Sequence, residues 1–123
     1  MRNFLTKLFS PKLELEVVDA YLHKLPSKIA VSWKREDGFI IGKISYGGYD
    51  PIYTQARNPK EFIRMVNDAV YISLDFKEEY IEFFHESDLY PPTAEEWERL
   101  NDGKITQSSF GLASKLAHER VTA

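Results

Sequence analysis

Leu13, Leu15 and Val17 alternate with Lys12, Glu14 and Glu16, the period-two pattern of a strand with one wet face. The pattern predicts a first strand over Leu13–Val18, continuing toward Leu22. Pro26 interrupts it, and Ile29, Val31 and Trp33 then alternate with Lys28, Ser32 and Lys34 to predict a second strand over Lys28–Lys34. Arg35-Glu36-Asp37-Gly38 comes next, and an Asp-Gly pair between alternating apolar runs signals a hairpin, because glycine accepts the positive φ such turns require. A third strand is expected over Phe39–Tyr46, antiparallel to the second. After the loop Gly47-Gly48-Tyr49-Asp50-Pro51, the β-forming run Ile52–Ala56 predicts a short fourth strand.

The helix signals lie further on. Asn58 is a cap residue, Pro59 suits a first helical position, and Glu61 stands three after the cap, so a helix is predicted over Pro59–Leu74. Its apolar face carries Phe62, Val66, Ala69 and Val70, widened by Ile63, Met65 and Ile72. Phe76, Tyr80, Phe83 and Phe84 recur at helical spacing and are read as a further helix in preference to an edge strand. Pro91-Pro92 breaks the chain, and Thr93-Ala94-Glu95-Glu96 is a capping box opening a short helix through Trp97 and Leu100 to Gly103. Lys104 to Ala123 is weakly periodic and reads either as a final helix over Leu112, Leu116 and Val121 or as a mobile tail. Together these elements predict an α+β fold. A curved, mainly antiparallel sheet of three to four strands carries the main helix on one face, and C-terminal helices complete the core.

At 123 residues the chain suits one domain, with a core over about residues 12–102 and the remainder as tail or helix. A hydrophobic share of 43% lies well above that of disordered chains, so the sequence is expected to fold. The absence of cysteine excludes disulfides and thiolate chemistry and fits a reducing compartment such as the cytoplasm. The N-terminus lacks the apolar run and cleavage site of a signal peptide, and Phe4, Leu5, Leu8 and Phe9 read as docking on the core or a neighbour. No window approaches the length of a membrane span.

Candidate chemistry is sparse. His23, His85 and His118 are far apart with no metal-binding spacing, and His85 beside Glu82, Glu86 and Asp88 reads as an acidic helix end. Adjacent carboxylates in Glu78-Glu79 and Glu95-Glu96 point about 100° apart on a helix and do not converge. Asp19, Asp37, Asp50 and Asp75 fall at expected strand ends and turns, where a metal-dependent nuclease also places acids, and that class is kept as an alternative. Gly42, Gly47 and Gly48 form no nucleotide-binding motif. Trp33, Tyr46, Tyr49, Tyr53 and Lys43 resemble a base-stacking set, but a net charge of −3 without a Lys/Arg cluster favours core and edge packing. No catalytic, cofactor or metal residue is assigned.

The order of features from Lys28 to Phe76 resembles that of the HicB-like antitoxin domain. It is carried by Ile29-Ala30-Val31, Asp37-Gly38-Phe39, Thr54-Gln55-Ala56 and the helix from Glu61 through Asn67 and Ala69. Ala56 stands where that family usually has glycine. The resemblance implies a degenerate ribonuclease-H-like unit and a non-catalytic role: binding a small protein partner, such as a toxin, and masking it. Exposed aromatics and the glycines among them would supply the contacts, namely Tyr46, Gly47, Gly48, Tyr49 and Tyr53 in the loop region and Phe76, Tyr80 and Phe84 further on. The alternative in the same class is a homodimerising scaffold whose sheet edge pairs with its own copy.

Overall fold

The computed structural model describes residues 14–86 and 89–115. It begins with helix α1 (Leu15–Lys24), followed by strands β1 (Lys28–Glu36), β2 (Phe39–Ser45) and β3 (Ile52–Ala56). Helices α2 (Pro59–Ser73), α3 (Glu78–His85) and α4 (Ala94–Asn101) come next, and strand β4 (Gln107–Ala113) closes the series. The strands form one open antiparallel sheet in the order β3-β2-β1-β4. The α+β class is therefore the observed one, and β1, β2, β3 and α2 lie within two residues of their expected bounds.

Local chemistry accounts for those elements. Asp37 and Gly38 both take positive φ, 51° and 83°, as a two-residue hairpin turn between twisted strands demands. The Asn58 side chain accepts the Glu61 N–H at 2.8 Å and so caps α2. At α4, Thr93 Oγ1 accepts the Glu96 N–H while Glu96 accepts the Thr93 N–H, a reciprocal capping box.

Two expectations are corrected. The segment predicted as a first strand is α1: the alternation of Leu13 to Val17 is short, and Val17, Val18, Tyr21, Leu22 and Leu25 continue it at helical spacing. Tertiary contact settles the choice. The Tyr21 ring stacks on Phe76 at 4.2 Å and meets Tyr80 edge-on at 5.1 Å, and the Tyr80 hydroxyl accepts the Glu14 N–H at 2.9 Å. The stretch expected as a C-terminal tail or helix contains β4, and Leu112 is a core residue, so the core extends past residue 102. Gln-Ser-Ser-Phe-Gly-Leu-Ala has little intrinsic strand preference; pairing with β1, some eighty positions earlier, supplies its conformation. Phe4, Leu5, Leu8, Phe9, Lys12, Leu13, Asp88, Leu116, His118 and Val121, also singled out above, lie outside the described residues.

The core lies on one side of the sheet. Ile29, Val31 and Trp33 of β1, Ile40 and Ile44 of β2, Ala56 of β3 and Leu112 of β4 face Phe62, Ile63, Val66 and Val70 of α2 and the aromatics of α1 and α3. Gly42 stands where α2 comes closest: a Cβ there would meet the Phe62 ring at 2.6 Å. Asn67 is fully buried within this layer, and its hydrogen bonds make that burial tolerable. It donates from Nδ2 to Ile63 O at 2.9 Å and Tyr90 O at 3.3 Å, and its Oδ1 accepts from Tyr90 N–H at 2.9 Å and Tyr71 Oη at 3.3 Å. All four bonding capacities of the amide are used, which fastens the segment after α3 to α2. Arg35 fastens the other end. Its guanidinium donates to the carbonyls of Leu100, Asp102 and Ile105 and lies 5.4 Å over the Trp33 ring, so a cation closes the C-terminal end of α4. No described helix is long and apolar enough to cross a membrane.

Candidate functional site

Because the strands alternate, the side chains turned away from the helices form a second face, and among the described residues nothing covers it. The register aligns Tyr53, Lys43, Ser32 and Ser109 in one row across the four strands. The neighbouring row runs Gln55, Ile41, Lys34 and Gln107, and beyond Ser32 lie Ser45, Ala30 and Gly111, then Lys28 and Ala113. Small residues make the floor and long cations the relief. The Lys28 stem crosses Gly111 closely enough that a Cβ at that glycine would meet Lys28 Cε at 2.3 Å.

Two adjoining shallow troughs run over this face. One, of about 570 Å³, is bordered by Lys34, Ile41, Lys43, Tyr53, Gln107 and Arg99, the last reaching in from α4. The other, of about 460 Å³, includes Lys28, Ser45, Ser109 and Gly111. Neither lining contains an aspartate or glutamate. Lys34 pairs with Glu36 and Arg99 with Glu95, each at 3.0 Å on exposed surface where such pairs hold weakly. Lys28 and Lys43 have no ion pair among the described residues. Four cations thus stand on the uncovered face of a chain of net charge −3, two of them paired with Glu36 and Glu95, while Glu78, Glu79 and Glu82 of α3 and Glu96 and Glu98 of α4 lie in the helical layer.

The residues expected to meet a partner separate into two groups. Tyr53 projects from the bare face at 69% exposure, and Tyr49 is 53% exposed beside Gly47 and Gly48 at the β2–β3 loop. Tyr46 is half-buried, with its ring 5.0 Å from Tyr49 and its hydroxyl bonded to Ser73 Oγ. Burial raises its pKa above the usual phenol value; the Ser73 hydrogen bond lowers it and Tyr49 adds a smaller upward push. Phe76, Tyr80 and Phe84 are corrected: they are core residues at 6%, 3% and 2% exposure, because α3 turns its aromatic stripe onto Tyr21 and Tyr71. Helical spacing of aromatics identified an amphipathic face, and the helix buried that face rather than presenting it.

Lys28, Lys34 and Arg99 escape recognition as site residues in the sequence. Their signal is present in the polar half of each strand's alternation, but it becomes a surface only once β4 places a fourth strand beside β1. Trp33, from the base-stacking set, is in the core, and its indole N–H has no partner among the described residues.

His85 lies on neither surface. Its Nε2 is 2.8 Å from Asp68 Oδ1 across the α2–α3 contact, its ring meets Tyr71 edge-on, and buried Nδ1 has no partner among the described residues. Asp68, not the acids next to it in sequence, is its partner. Asp19 lies on α1, with its carboxylate 3.7 Å from His23 Nδ1, and Asp37 lies in the β1–β2 turn. No three His, Asp or Glu side chains converge as metal ligands among the described residues. Compared with protein-family models, with characterised proteins and with solved structures, the chain matches none.

Proposed function

We propose that this chain is a non-catalytic protein-binding domain, a regulatory partner of the HicB-like antitoxin kind, that receives its partner on the uncovered face of the sheet. One observation carries the reading: among the described residues helices cover a single side of the sheet, and the other side is a flat, small-floored surface bearing Lys28, Lys34, Lys43 and Tyr53, with Glu36 at its margin paired to Lys34. A floor of Ala30, Ser32, Ser109 and Gly111 lets a partner's backbone approach closely, and Tyr53 offers a large contact at low entropy cost. Charge complementarity assigns the partner an acidic contact surface. The strand, turn, strand, loop, strand and helix progression between Lys28 and Ser73 supports the antitoxin-like role, and masking by surface complementarity needs no reactive group. The cysteine-free composition suits a reducing compartment such as the cytoplasm.

The test compares wild type with Lys28→Glu/Lys43→Glu and with a helical-layer control, Glu98→Lys. A partner retained from lysate of the source organism is purified and titrated against all three. The expected result is a salt-sensitive stoichiometric complex, weakened about tenfold or more by the face variant and unaffected by the control. Equal binding by all three proteins, or retention of nothing, refutes the reading. Retention of RNA in place of protein would assign the face to nucleic acid and also refute it.

A further inference from the structure

The sheet ends at β4 among the described residues, and this strand lacks the charges, proline and bulge by which edge strands avoid association. Native edges carry charges, proline, bulges or a covering segment. Residues Gln107–Ala113 include no charged residue and no proline, pair with β1 in continuous register and stand last in the strand order; just past them Lys115 N–H donates to Leu89 O at 3.0 Å. The opposite edge differs: β3 has five residues and is flanked by Pro51 and Arg57.

The ends of the ladder determine which groups turn outward. Ser114 N–H donates to Ser27 O at 2.8 Å and Arg35 N–H donates to Thr106 O at 2.7 Å, so the even-numbered residues from 106 to 114 turn their amides toward β1. Gln107, Ser109, Gly111 and Ala113 consequently turn theirs outward.

We propose that β4 pairs antiparallel with β4 of a second copy of this chain, joining two four-stranded sheets into one of eight about a two-fold axis at Phe110. The strand is complementary to itself. With Phe110 opposite Phe110, Ser109 faces the copy's Gly111 and Gln107 faces its Ala113, so outward-turned residues meet outward-turned residues in hydrogen-bonded pairs. Phe110 then occupies the closely spaced, non-hydrogen-bonded position, where cross-strand aromatic pairs gain most. It lies on the helix-facing side of the sheet between Ser108 and Leu112 and is half-buried within one protomer, so pairing extends the apolar layer across the axis. An uncharged strand also meets its own copy without electrostatic repulsion. The inference is independent of what binds the bare face, although pairing would make the two bare faces one surface.

Sedimentation equilibrium of the full chain over a wide concentration range tests it, with the folded state of each variant checked by circular dichroism. Ser109→Pro removes an outward N–H and no bond to β1, and is expected to raise the dimer dissociation constant about tenfold or more. Gln107→Lys/Ala113→Lys places like charges opposite each other at both ends and should weaken the dimer. Gln107→Lys/Ala113→Glu places opposite charges there and should restore it. A wild type that stays monomeric overturns the proposal, whether the edge is met by another part of the chain or by a foreign partner. A dimer indifferent to both charge pairs also overturns it, since its interface would then lie elsewhere.

Discussion

Replacing Asn67 by Asp changes one group in the molecule, a buried NH₂ to an oxygen, and the surrounding hydrogen bonds dictate the consequence. Nδ2 donates to the carbonyl oxygens of Ile63 and Tyr90 in the native protein, so the replacement sets an oxygen against two acceptors at about the same distances. The ionised carboxylate loses two hydrogen bonds, gains two repulsive contacts and is desolvated at a site with 0% exposure. Two lost bonds cost about 1–3 kcal/mol, and enclosing an uncompensated charge adds several more before protonation relieves it, so a loss of about 3–5 kcal/mol is expected at pH 7.

The sign of the pH dependence discriminates this mechanism from a general packing defect. Burial and the facing carbonyls raise the folded-state pKa of the introduced carboxyl group above its unfolded value of about 3.9. The folded state therefore binds the proton more tightly. The variant's deficit relative to wild type is smallest below about pH 4 and grows as pH rises from there through the folded pKa. Urea unfolding followed by tryptophan fluorescence, on both proteins at a series of pH values, measures it as a difference in which other titrating groups cancel. A deficit below about 1 kcal/mol at pH 7, or one unchanged between about pH 3.5 and pH 7, would refute the account of Asn67 as a fully bonded fastening between α2 and the segment at Tyr90.

Two further outcomes are expected at single sites. Gly42→Ala forces a methyl to within 2.6 Å of the Phe62 ring and should cost about 1–3 kcal/mol in the same unfolding assay, with Gly42→Ala/Phe62→Leu recovering part of the loss. Tyr46 has a folded-state pKa raised first by burial, so its contribution is fully present below the unfolded phenol value near 10 and is lost as pH rises through the folded value; Tyr46→Phe should show a shallower alkaline loss of stability than wild type, measured as thermal midpoint against pH.

The hairpin and the two capped helices are legible in the sequence because their signals are local. Asp37-Gly38 states its own backbone conformation, and Asn58-Pro59 and Thr93 to Glu96 satisfy helix-end amides from within a few residues. The elements that sequence leaves open depend on distant partners. Leu13 to Val17 alternates over too few residues to exclude a helix, and the aromatic contact of Tyr21 with Phe76 and Tyr80 decides for α1. The weak pattern of Gln107–Ala113 becomes a strand only because β1 presents a complementary row of amides. The candidate site shares that dependence. Hydrophobic alternation determined which half of each strand would be wet, whereas only the tertiary structure decided that no described helix covers the wet side and that α3 buries its aromatics, since burial belongs to pairs of surfaces and a single segment carries one of them.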